Sequence, residues 1–142
     1  MGFGENTDLQ LNEQKAIIII VMAAFAVGGE CFSRAKIKGA SQICSRSPIF
    51  LANSSEETNA YIKFALNILS NLGERAIEIA AEALPPKLRE TAFALATEMI
   101  LTEGVLDDEK SAFLLRLLKT LQISEDLAGK ILLVSIIRSR GV

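Results

Sequence analysis

The chain has 142 residues, 50% of them hydrophobic and 23% charged, which excludes a disordered chain or a fibrous repeat and fits one domain. Histidine and tryptophan are absent, so a Ser-His-Asp triad, a Cys-His pair and a His-ligated zinc are excluded. The formal net charge is −2, the wrong sign for a nucleic-acid binder.

Residues 1–10 are polar with two glycines and read as a loose tail. A single all-α domain is expected over 11–142. The first fifteen residues place Glu5, Asp8 and Glu13 against Lys15, the wrong charge for a secretory signal. Met1-Gly2 opens like a myristoylation site, but Asn6 stands where Ser or Thr is required. Asn12 caps a first helix to about Val27, stopped by Gly28-Gly29. Its apolar run, Ala16 to Gly29, is bounded by Lys15 and Glu30. That is a turn or more short of the about 20 residues of a membrane span. Ile17 to Ile20 favour a strand by propensity. The length of the run and Met22-Ala23-Ala24 favour a helix, and helix is the reading.

Ser33 caps a second helix, Arg34 to about Cys44, weakened by Gly39. Pro48 forbids its continuation, and Ile49-Phe50-Leu51 reads as an apolar plug on the core. Ser54-x-x-Glu57 is a capping box. It opens a third helix to Leu72 with Ile62, Ala65, Leu66 and Leu69 on one face, stopped by Gly73. Glu74 to Leu84 forms a fourth, with Ile77, Ala80, Ala81 and Leu84 inward. Pro85-Pro86 breaks the chain, and Pro86 suits the first turn of a fifth helix to Thr102, with Gly104 as its C-cap. Asp107 caps a sixth, with Phe113, Leu114, Leu117, Leu118 and Leu121 inside. Ser124 caps a seventh, in which Leu127, Ile131, Leu132, Val134 and Ile136 supply apolar contacts. No segment reads convincingly as a strand, so the fold class is all-α: about seven helices in a compact bundle. An apolar helix, Gly29 and a Ser33-capped helix match an apolar helix, Gly104 and an Asp107-capped helix, with a one-residue gap. This is a faint repeat of two helical hairpins.

The stretch Leu84-Pro85-Pro86-Lys87-Leu88-Arg89-Glu90-Thr91-Ala92-Phe93-Ala94-Leu95-Ala96, followed by Leu101-Thr102-Glu103-Gly104-Val105-Leu106-Asp107-Asp108-Glu109, resembles the tellurite-resistance TerB-like family. The resemblance is close over 84–124 and loose over 11–47. It implies an all-α fold of two helix-hairpin repeats and a bacterial stress-related module. It also implies metal binding through acidic loop residues, without established enzymatic activity. The same fold at the N-terminus of a membrane-bound co-chaperone shows that fold does not set role. This chain departs from the family pattern: Glu103 replaces the usual Asp, Lys110 replaces an acid, and Arg34 and Lys36 flank a first loop that is nearly without acids.

Four features are candidate sites. Glu103, Asp107, Asp108 and Glu109 form an acidic cluster. It reads either as a weak Ca²⁺ or Mg²⁺ site or as an N-cap with an acidic first turn. Arg34, Lys36, Lys38 and Arg46 form a basic run, read as an anion or partner face or as a solvated helix face. The helix end ILLVSII, 131–137, is apolar nearly all round, the first place to look for a dimer seam or partner groove. Phe25, Phe32, Phe50, Tyr61, Phe64 and Phe93 either line an apolar pocket for a small ligand or fill the core. Cys31 and Cys44 lack zinc spacing. One disulfide between them is open, but reduced buried thiols in the cytoplasm are preferred. Thiolate attack on a soft oxyanion has no support beyond the presence of the two cysteines.

No nucleophile–base pair can be assembled from these residues. The expected function is a non-enzymatic, cytoplasmic TerB-like module with a protein partner or homodimer, no nucleic acid and no membrane span. It acts through protein contacts or a weakly bound divalent ion. The alternative is a small-ligand-binding or sensing domain with an apolar pocket between helices.

Overall fold

Ten consecutive residues, Ala16 to Phe25, are buried on α1 (Glu13–Ala26), the central helix. The computed structural model describes residues 11–27, 34–102 and 106–139. After α1 come α2 (Arg34–Ser45), a 3-10 turn (Pro48–Phe50), α3 (Ser55–Leu72) and α4 (Glu74–Glu82). They are followed by α5 (Pro86–Thr102), α6 (Asp108–Thr120) and α7 (Glu125–Ser139). Among the described residues there is no strand.

The isoleucine run is helical because burial outweighs propensity. A β-branched residue in a helix costs up to about 0.7 kcal/mol, while burying it stabilises by about 1.5–3 kcal/mol. All four isoleucines, Ile17 to Ile20, are fully buried. They are covered because α5, α3 and α4 all pack on α1. In turn α7 packs on α5, and α2 on α3. Asn12 caps α1, its side chain accepting from the Lys15 N–H at 2.7 Å. The 3-10 segment is pinned to α1 by Gln14, which donates to the Ile49 carbonyl at 2.6 Å and accepts from Asn53 at 2.8 Å.

The capping box of α3 is present in both directions, between Ser54 and Glu57. Gly73 ends α3 with φ +59° and ψ −136°, backbone open to glycine and strained for other residues. At the other turn, Gln122 takes φ +59° after α6. There the Ile123 N–H bonds the Leu118 carbonyl and the Gln122 N–H the Lys119 carbonyl, a Schellman closure. Arg89 clasps three elements. Its Nε donates to the Ala81 and Leu84 carbonyls at 3.1 and 2.9 Å, and its Nη1 to Gln122 Oε1 at 3.1 Å.

Three details differ from expectation. Leu51 is not part of a plug: it is 69% exposed, while Phe50 alone is fully buried. The fourth helix ends at Glu82 rather than Leu84, although Leu84 stays buried. Val134 is 54% exposed rather than packed, because α7 meets the bundle on one side only, chiefly against α5. The tail 1–10, Gly28-Gly29, Ser33 and Gly104 lie outside the described residues.

Candidate functional site

Asp107 is the N-cap of α6, its carboxylate accepting the Lys110 backbone N–H at 2.9 Å. Asp108 and Glu109 are exposed in the first turn, where negative charge suits the helix N-terminus. Glu103 lies outside the described residues. Among the described residues no three or more His, Cys, Asp or Glu are placed to hold a metal ion. The described carboxylates therefore do not supply the several converging oxygens that Ca²⁺ or Mg²⁺ takes.

The basic run divides. Arg34 and Lys36 begin α2, but their side chains lie outside the described residues. Lys38 lines a groove of about 620 Å³ between α2 and α3, with Ser41, Asn59 and Lys63. Arg46 lines a different groove and bonds Glu98 of α5 at 2.8 Å. That ion pair is exposed enough to contribute only about 0–1 kcal/mol.

The aromatic residues divide as well. Phe25, Phe50 and Phe93 are buried in the core. Tyr61 and Phe64 hold the Lys15 ammonium over their rings, at 5.8 and 4.9 Å from the centroids. Phe32 lies outside the described residues. Phe93 also edges a groove of about 370 Å³ between α6 and α7, with Leu115, Leu118 and Leu132. Cys44 is buried and free. Burial, and secondarily the charge of Glu98, pushes its thiol up to about 12, which suppresses the thiolate that any nucleophilic role needs. Cys31 lies outside the described residues.

The outer face of α7 is what remains. Leu133, Val134 and Ile137 are 58%, 54% and 53% exposed. Asp126 and Lys130 share the ridge of Leu133 and Ile137 by helical spacing, and pair with each other at 3.2 Å. Ser124 caps the helix, accepting the Leu127 N–H at 3.1 Å. On one flank lies a groove of about 560 Å³ against α2 and α5, with Ile43, Leu95, Ile131 and Val134 below Arg46 and Arg138. On the other lies the α6–α7 groove with Leu115, itself 52% exposed. Sequence reading singled out residues 131–137 but passed over Gly129, Leu115 and the flanking Lys130 and Arg138. The available signal was a glycine inside a helix, on the same stripe as Leu133 and Ile137.

No helix among the described residues is long and apolar enough to cross a membrane. Comparison with family models, with curated proteins and with solved structures finds no match to this chain.

Proposed function

We propose that this chain is a cytoplasmic, non-enzymatic TerB-like module of a bacterial stress response that works through protein contact, with the outer face of α7 as its contact surface. The observation that carries the reading is the exposure of Leu133, Val134 and Ile137, each more than half open to solvent. Single exposed apolar residues need no explanation. Three within one helical turn and a half, bordered by Lys130 and Arg138, have the anatomy of an apolar interface centre with a polar rim. The stretch that most resembles the family, 84–96, goes into the α4–α5 junction and the core. That use fits a scaffold whose partners are met elsewhere.

The test is a photoreactive phenylalanine analogue at position 133 of the full chain, irradiated in the cells that express it. The reading expects a discrete protein adduct that Ile137→Glu suppresses, and none from the same analogue at position 51. No adduct from position 133 overturns it.

A second reading, a small-ligand domain, draws on the groove between α2, α5 and α7. Its floor is aliphatic, Lys130 and Arg138 line it beside the Arg46–Glu98 ion pair, and the buried Ser47 makes no capping bond at the start of the 3-10 turn. An aliphatic carboxylate such as decanoate fits that chemistry. A rise in melting temperature with decanoate, lost in Lys130→Ala plus Arg138→Ala, supports this reading; no rise removes it.

A further inference from the structure

α7 contains a glycine that its own fold does not use. Gly129 is exposed in the interior of the helix, and a Cβ built on it meets nothing within 4 Å. Such a glycine costs about 1 kcal/mol relative to alanine. It borders the ridge of Asp126, Lys130, Leu133 and Ile137, and it opens onto the α6–α7 groove.

The order of residues along this face is self-complementary. Gly129 and Ile137 each stand four positions from Leu133. A two-fold axis at Leu133 therefore sets each Ile137 over Gly129 of a second copy, a large side chain over a missing one. Each Leu133 meets its twin. The charges follow the same order, since Glu125 and Asp126 open α7 and Arg138 closes it. Antiparallel pairing sets the end of each copy that carries Glu125 and Asp126 against the end of the other that carries Arg138, with Arg138 opposite Ala128, and opposes the helix dipoles favourably. A parallel arrangement instead stacks Asp126 on Asp126 and Lys130 on Lys130.

We propose that α7 is a homodimer seam, pairing antiparallel with α7 of a second copy around a two-fold axis at Leu133. The proposal rests on the protein-contact reading and names its partner. A surface for an unrelated protein has no need of a knob and a hole mirrored about one leucine, with acid at one end of the helix and base at the other; an isologous antiparallel interface uses both. The exposed Leu115 in the neighbouring groove widens the contact. One helix and its border from each copy make a small interface, in the class below about 1,200 Å² in total. The dimer is therefore reversible and dissociates on dilution.

Sedimentation velocity of the full chain from about 1 μM to about 1 mM covers the affinities of that class. The mass is expected to rise from 15.4 kDa to twice that value. Leu133→Glu sets two carboxylates at the axis and weakens association by at least about ten-fold, whereas Leu51→Glu leaves it unchanged. Circular dichroism confirms that both variants fold, and Leu133→Ala repeats the comparison with a helix-favouring residue. Geometry is read by mixing Gly129→Cys with Ile137→Cys under oxidation. A cross-copy disulfide above the background of the parent's own thiols supports the arrangement, with little from Gly129→Cys alone. A monomer at every concentration overturns the seam. So does a dimer indifferent to Leu133→Glu, or one that Gly129→Cys cross-links with itself. An adduct from position 133 to a protein of another mass overturns the seam while leaving the contact reading intact; no adduct and no dimer remove both.

Discussion

Replacing Arg89 by methionine keeps an aliphatic stem and good helix propensity but removes every donor. Three bonds are lost: two from Nε to the carbonyls of Ala81 and Leu84, and one from Nη1 to Gln122. A hydrogen bond from a charged donor contributes about 1.5–3 kcal/mol, but the three do not sum. Nε shares one proton between two carbonyls, the Ala81 carbonyl keeps a second donor in the Leu84 N–H, and the Gln122 bond is exposed to water. The expected loss is therefore about 2–4 kcal/mol, mostly from the deprived Leu84 carbonyl and the loosened α4–α5 junction. Urea unfolding followed by circular dichroism reads it as a lower midpoint at unchanged slope. Gln122→Ala removes only the exposed bond and costs less than about 1 kcal/mol. A loss below about 1 kcal/mol for Arg89→Met would refute the clasp.

Ile18→Ala empties a fully buried position on the central helix and costs about 2–5 kcal/mol in the same assay. Asp107→Ala removes the α6 cap and costs about 0.5–2 kcal/mol, equally in chelator and in millimolar Ca²⁺. A Ca²⁺-dependent melting temperature that vanishes in this variant returns a metal role to the acidic loop. In a Cys31→Ser chain the Cys44 thiol reacts with a disulfide reagent only as the protein unfolds. Its folded value of about 12 lies above the ordinary 9.0. The unfolded chain therefore loses this proton first, and stability present below pH 9 falls by about 1.4 kcal/mol per pH unit between those values. The difference between parent and Cys44→Ala across that window measures it. Gly129→Ala raises the melting temperature of the dilute monomer by a few degrees, for a gain of up to about 1 kcal/mol, and weakens association. A stabilised monomer with unimpaired association removes the close approach from the proposed seam.

Much of the fold was legible because its punctuation is local. Asn12, Ser54 with Glu57, Asp107 and Ser124 each cap the helix they announce, through bonds to backbone three residues on. Gly73 and Pro86 stand where a left-handed turn and a first helical turn need them. The turn at Gln122 was illegible, since it uses the left-handed region without a glycine and is held partly by an arginine 33 positions away. The candidate site was half legible. An apolar stretch such as 131–137 shows that something is covered, but which of its side chains the fold leaves open depends on how α7 lies on α5. Ile131 turned inward and Val134 outward, a rotation that composition does not encode. The acidic cluster reads both ways in the sequence, because an N-cap with an acidic first turn and a carboxylate metal loop present the same residue types.

Local rules are broken at three places in this chain, and the breaks differ in what compensates them. Five β-branched residues in a row, Ile17 to Val21, occupy α1, and complete burial outweighs their cost several times over. A non-glycine residue sits in left-handed backbone at Gln122, where two closing bonds and the Arg89 guanidinium hold it. The third break is on α7: an interior glycine and three open apolar side chains fall within nine positions. Gly129 and Val134 edge the grooves that flank α7, but no close backbone contact or turn in the described fold requires the glycine. The first two breaks are compensated within one copy, whereas the third is one that the proposed seam would compensate by laying a second helix along the ridge. Its glycine then admits Ile137, and its leucine is covered by its twin. A chain that only needed α7 to be stable would carry alanine at 129 and polar residues at 133 and 137. The residues it carries instead are those that the proposed isologous contact of modest size calls for.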